Sequence, residues 1–308
     1  MATYDVVGFG IATTDHLGVL DRFPVEDTKQ RMLQYTHQGG GTVGTPLVAC
    51  ARLGLRAAYL GRIGYGPASG FILNDFAREG VETRHVVRED DYEPPVGLIL
   101  VNPSNRSRTI CWFGDVSDGL SPERLSRPVI ESSRVLYLDA HETKASVAAA
   151  RWARDKGRTV VIDADQHNEG IERVLPCCGV IIGSAPFGKA FSGDDDGERA
   201  AHRLFEQFGG VCAITVGERG SYVVSDEGSF HQPSFAVEVV DTTGAGDVYH
   251  GAFVVGLLKG WPLRDVAAFA SAVAAMKCRK LGGRAGIPRF DEAVTFLGER
   301  TVAGAWDR

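Results

Sequence analysis

The chain has 308 residues, enough for one large α/β domain or two small ones. Its 44% hydrophobic and 23% charged content is ordinary for a globular protein, and a net charge of −6 offers neither nucleic acid nor an anionic membrane a basic surface to bind. Six scattered cysteines without metal-type spacing read as buried thiols of a reducing compartment, and without a leader pattern or a membrane-length apolar run the expected location is cytoplasmic.

Along the chain, short apolar runs alternate with amphipathic stretches. Strands are predicted over 5–10, 57–61, 135–139, 159–163, 180–183 and 211–216, nearly continuous in apolar character, as parallel strands buried on both faces require. Helices are predicted over 43–53, 69–78, 144–156 and 198–208, with 245–258, 263–277 and 291–300 closing the chain. This alternation predicts an α/β fold, an open and mostly parallel sheet with helices on both faces. Residues 17–37 and 96–113 break the pattern and read as pairs of short strands with polar turns, the second turn marked by Asn102-Pro103-Ser104-Asn105. They suit either a small β lid over a site, over about 16–37 and 94–113, or plain edge hairpins.

The most informative run is 239–247, Val-Val-Asp-Thr-Thr-Gly-Ala-Gly-Asp, between a predicted extended segment, 234–240, and a helix. A glycine-rich turn at a helix N-terminus leaves backbone N–H groups unpaired, and these donors with the helix dipole attract anions. Asp247 stands at the mouth of that anion site. Phosphoryl transfer to an alcohol uses both parts: donors hold the developing charge and a carboxylate accepts the hydroxyl proton. A capped helix or a simple tight turn is the plainer reading. Asp241, Thr242 and Thr243 weigh against it by adding oxygen ligands beside the turn.

The run resembles the signature of the ribokinase-like, or PfkB, family of carbohydrate kinases. Further matches follow in the family's order: 6–10 leading to Asp15, Gly40-Gly41-Thr42-Val43-Gly44-Thr45 before a helix, and 213–220, together covering most of the chain. Residues 239–250 and 282–288 look closest to the branch of ketohexokinase-like and sulfofructose kinase-like enzymes. The resemblance implies one ribokinase-like domain over 1–308, with three layers, a mostly parallel central sheet and a small β lid that often forms a dimer contact. It implies ATP and Mg2+, with K+ as a candidate activator, and a sugar acceptor phosphorylated at a primary hydroxyl.

By the same resemblance Asp247 is the base, and Gly244, Ala245 and Gly246 form the anion hole. Asp15, Gly40, Gly41 and Thr45 fall on the substrate side. Lys29 and His141 join them from their positions alone, Lys29 in the lid and His141 past a strand end, against plainer readings as a solvated lysine and a loop histidine. Thr215, Gly217, Gly220 and Gly283 fall on the nucleotide side. Asp241 and Thr243 would border a monovalent cation, and Asp165, with Asp163, an outer shell of magnesium. Arg284 is either structural or a phosphate contact, and Trp112 either stacks on a sugar or packs.

The chain departs from the family where Thr45 replaces an Asn, and where Ser184 and Phe187 replace the Asn and Glu of an Asn-x-x-Glu motif. A nucleoside kinase of the same fold and a non-catalytic sugar-binding regulator stay open as alternatives. A dinucleotide-binding dehydrogenase is disfavoured because 8–13 lacks the third glycine of that fingerprint.

Overall fold

The computed structural model describes residues 3–104, 107–114, 119–167 and 169–299. Asn105 of the predicted lid turn and Arg300 of the last predicted helix lie outside them. The main sheet has eight strands, in spatial order Gly228–Gln232, Ser221–Ser225, Val211–Thr215, Val180–Ser184, Thr159–Ala164, Val135–Leu138, Val6–Phe9 and Ala57–Tyr59. The last six run parallel, and the first two add an antiparallel hairpin at one edge.

Period-2 alternation divides the parallel strands between two cores. In Val135–Leu138, Val135 and Tyr137 join the core on one face, Leu136 and Leu138 the core on the other. The first core packs beneath Gly44–Arg52, Pro67–Glu79, Ala245–Lys259 and Leu263–Lys277. The second packs beneath Thr143–Asp155 and Gly197–Phe208. Helix Ala245–Lys259 is buried over nine consecutive residues, Val248 to Gly256, because it packs between the first core and two neighbouring helices. The result is a three-layer α/β fold with a mostly parallel sheet.

The segments that broke the alternation form a second, four-stranded sheet in the order Gln34–Gly40, Thr13–Val19, Val96–Asn102 and Ser107–Phe113. This lid begins earlier than its sequence suggested, so Asp15 stands within a lid strand rather than in a loop after the first main strand. Leu17, Ile99, Val101 and Leu281 are buried beneath it. The predicted extended segment 234–240 joins neither sheet; the strand in that region is Gly228–Gln232, paired to Ser221–Ser225.

Arg284 ties the base of the lid to the helical layer. Its buried guanidinium meets Asp75 at 2.5 Å and the Gly40 carbonyl at 2.7 Å, with Thr45 Oγ1 at 3.5 Å. Asp75 also pairs with the exposed Arg78 at 2.6 Å. Removing Asp75 strands a buried guanidinium, so Asp75→Ala is expected to cost about 3 kcal/mol, read as a fall in the urea midpoint at unchanged slope.

Candidate active site

A cavity of about 1420 Å³ opens over the carboxyl ends of the parallel strands and under the lid. Single small-ligand sites run to roughly 300–1,000 Å³, so this space suits two reactants side by side. It lies where the strand order reverses, between Val6–Phe9 and Val135–Leu138, the usual ligand crevice of an open α/β sheet. Buried Asp139 closes the crevice floor. Its carboxylate accepts hydrogen bonds from Ile11 N at 2.7 Å, Thr42 Oγ1 at 2.7 Å and His141 N at 3.1 Å.

The Gly244–Asp247 turn enters the cavity from one side. Gly244 is the N-cap of helix Ala245–Lys259 and takes φ 71°, a left-handed conformation that favours glycine. A side chain there would also press on Gly283, 2.9 Å from its Cα. The turn is held from behind by Asp241, whose Oδ1 accepts from Thr243 N and Thr243 Oγ1 at 2.9 and 2.8 Å and whose Oδ2 accepts from Gly282 N at 2.7 Å. Ala245 N donates back to the Thr242 carbonyl at 3.1 Å. The N–H groups of Gly246 and Asp247 meet no backbone acceptor among the described residues and stand at the positive end of a 15-residue helix.

Asp247 does not stand alone. Burial, and then the neighbouring Asp163 and Asp165 carboxylates, push its carboxyl up to about 8. Asp165 is raised too, by desolvation and by Asp163. His250, one helical turn beyond Asp247, faces this crowding with its ring. Burial works against its imidazolium, but Asp163 Oδ2 at 3.0 Å from Nδ1 outweighs it and leaves the ring raised. Tyr137 Oη lies 3.2 Å from both groups. His250 was not singled out by sequence; its signal was a histidine in the buried, mostly apolar helix that begins at the glycine turn.

At the lid end, Asp15 accepts from Thr13 Oγ1 at 2.8 Å. Burial raises its carboxyl against the opposing pull of Thr13 and Arg284. Glycines on both neighbouring strands clear space for it: a Cβ at Gly97 would stand 2.6 Å from Asp15 Oδ1, and one at Gly40 would overlap Oδ2. Ile110 and Trp112 of the lid line the same end, with His141 opposite. Arg108, also unforeseen, reaches from the lid to donate to Thr242 Oγ1 at 2.8 Å, so the lid touches the glycine turn itself.

The far end is lined by Thr215, Gly217, Gly220, Val237, Val239, Ala274 and Cys278. Thr215 Oγ1 donates to the Gly183 carbonyl at 3.3 Å. Thus an acidic, hydroxyl-ready end and a flat apolar slot face each other across the helix N-terminus. That arrangement leaves room for two reactants, with an anion site between them.

Comparison with known proteins agrees with this geometry. Residues 4–289 match the model of the pfkB family carbohydrate kinases. The chain belongs to the PfkB family. It is 23% identical over 290 residues to ketohexokinase of Mus musculus, covering 90% of this chain and 97% of that protein. It is 25% identical over 302 residues to a nucleoside kinase of Methanothermobacter thermautotrophicus, covering 94% of each. The solved structure of a putative ribokinase from Agrobacterium tumefaciens superposes with a TM-score of 0.88 at 24% identity, covering 96% of this chain and 97% of that one. The protein is therefore a carbohydrate or nucleoside kinase, a phosphotransferase acting on an alcohol group, with the ribokinase-like fold. Among the described residues no helix is long and apolar enough to cross a membrane.

The PfkB resemblance and the cavity do not coincide everywhere. Asp15, Gly41, His141, Asp165, Thr215, Gly217, Gly220, Thr243, Gly244, Ala245, Gly246 and Asp247 line it; Gly40, Thr45, Gly283, Asp241 and Lys29 do not. Gly40 makes room for Asp15 and lends its carbonyl to Arg284. Thr45 is turned to Arg284, whose Nε lies 3.5 Å from its hydroxyl. Gly283 backs Gly244, and Asp241 backs Thr243. Lys29 lies on the exposed loop between two lid strands. Arg284 resolves as structural.

Phe187 is wholly buried, and Ser184 Oγ caps the helix Ala185–Ser192 by accepting from Phe187 N at 3.1 Å. The pair standing in for the Asn-x-x-Glu motif thus serves packing. In carboxylate 13C NMR, Asp247 is expected to titrate near neutrality and to move down in Asp165→Asn. A titration at about 4, the ordinary Asp value, would contradict the charge crowding.

Proposed function

We propose that this kinase transfers the γ-phosphoryl group of ATP to a primary hydroxyl of a sugar or sugar derivative, with Asp247 as the general base. The observation that carries this reading is the placement of the Asp247 carboxylate beside the Gly246 and Asp247 N–H groups, which meet no backbone acceptor among the described residues, in the same cavity as Asp15 and the apolar slot. Asp15 accepts hydrogen bonds from acceptor hydroxyls, and its partial desolvation strengthens them. The acceptor hydroxyl then lies against Asp247, which takes its proton as the oxygen attacks phosphorus. The turn's N–H groups and the helix dipole hold the charge on the transferring group. Arg108, already on Thr242, adds a guanidinium at the same place.

ATP lies with its base in the slot formed by Val237, Val239, Ala274 and Cys278, and its phosphates reach the turn. Magnesium fits the carboxylate crowding: Asp163 Oδ1 is buried without a partner, and Asp165 stands beside it. Among the described residues no three metal-ligating side chains converge, so the ion is carried by ATP oxygens and water, with Asp165 outside. When bound it neutralises phosphate charge. Pairing of two chains through the lid belongs to the same reading and is supported by the exposed Tyr35, Leu98 and Phe113 of that sheet.

One observation favours a nucleoside acceptor instead: Trp112 offers an exposed ring to the cavity, a surface on which a base can stack. ADP release measured across sugars and nucleosides separates the two, and turnover of neither class leaves the non-catalytic reading. Asp247→Asn is expected to cut kcat by about 10²–10⁴ while ATP binding by calorimetry is retained; near-native turnover would remove Asp247 from the mechanism. Gly97→Ala is expected to raise KM for the acceptor and leave KM for ATP unchanged, since its methyl displaces only Asp15. An equal rise in both would place Asp15 elsewhere in the reaction.

A further inference from the structure

Lys277 ends the helix Leu263–Lys277 and has no exposed surface. Lysine is almost never fully buried without a partner. Its Nζ donates to a main-chain group, the Asp241 carbonyl, at 2.9 Å. Burial lowers its ammonium toward neutrality, opposed by Cys278, Asp241 and, further off, Asp247. The same helix end is knitted to the turn by main-chain bonds, with the Cys278 carbonyl accepting from Val240 N at 2.9 Å and Asp241 N at 3.2 Å. A cation buried directly behind the anion hole is out of place as a stability device, because a well-packed apolar residue would avoid its desolvation.

The PfkB resemblance put a monovalent cation beside Asp241 and Thr243. The donor set does not fit one. Both carboxylate oxygens of Asp241 are taken by Thr243 and Gly282, and its carbonyl by Lys277. A second cation at these oxygens would have to strip N–H donors from the carboxylate and face the ammonium across the same residue. An ammonium is close in size to K+ and carries the same charge.

We propose that Lys277 is a built-in replacement for the monovalent cation: its ammonium fixes the Asp241 carbonyl and holds positive charge behind the Gly244–Asp247 turn, so the enzyme works without K+. Lys277 is thus a positioning residue, acting on the transfer through Asp241 and the turn. The proposal rests on the kinase reading for its catalytic arm alone.

The test compares potassium chloride with tetramethylammonium chloride at equal ionic strength. For the wild-type protein without substrates, the thermal unfolding midpoint is expected to be the same in both salts, and ADP formation with ATP and an accepted sugar likewise. A saturable rise in either quantity with K+ overturns the proposal. Lys277→Met removes the charge and keeps the apolar stem. It is expected to unfold earlier in tetramethylammonium and to recover, in midpoint and in turnover, as K+ is added. A folded Lys277→Met that K+ does not rescue also overturns the proposal, because a purely structural lysine leaves no cation hole. Should that variant not fold, the wild-type comparison alone decides. If no acceptor is turned over in either salt, the kinase reading fails, while the thermal comparison still answers for Lys277.

Discussion

The constraint on which the site depends is the reversal of strand order between Val6–Phe9 and Val135–Leu138. At a reversal, the chain leaves neighbouring strands in opposite directions and a crevice opens at their carboxyl ends. Here Asp139 spans that crevice, binding Ile11 on one side and Thr42 and His141 on the other. Ile11 leads into the lid strand that carries Asp15, and Thr42 leads into the helix Gly44–Arg52. One buried carboxylate thereby sets the spacing between the lid and the sheet, and so the reach from Asp15 to Asp247.

The second governing effect is repulsion among carboxylates. Asp163, Asp165 and Asp247 crowd one region, and the fold sets a buried imidazole against Asp163, which raises the ring's proton affinity. His250 and Tyr137 hold Asp163 on one side only, leaving Asp163 Oδ1 and His250 Nε2 buried without partners among the described residues. Such a site is primed to gain from a cation or a proton. The cost falls on apo stability, consistent with the general conflict between a strained site and a stable fold.

Much of this was legible in the sequence. The parallel strands announced themselves because burial on both faces demands unbroken apolar runs, and the lid announced itself by breaking that pattern. The turn at Gly244–Asp247 was legible because its chemistry is local: glycine, helix start and carboxylate are neighbours in the chain. The hairpin Ser221–Ser225 and Gly228–Gln232 was missed, since its outer strand, Gly-Ser-Phe-His-Gln, is half-solvated and has no apolar run to show. Arg108, His250 and Lys277 were missed because each acts on a partner distant in sequence: Thr242, Asp163 and Asp241. Thr45 and Gly40 were assigned to substrate because their positions relative to the motif fit; only the packing of Arg284 shows what they touch.

The strand Ser107–Phe113 is the outer member of the lid sheet; among the described residues it is paired on one side only, and all seven of its residues are exposed. Natural edges are usually guarded by charge, above all by lysine, or by proline. This one has a single charged side chain, Arg108, and that guanidinium is engaged by Thr242. Ile110, Trp112 and Phe113 add exposed apolar side chains along it. The strand that shelters the cavity is therefore also a template for adding further strands. An unpaired copy of the chain would be prone to self-association there, and covering that border is a matter of solubility as well as of function.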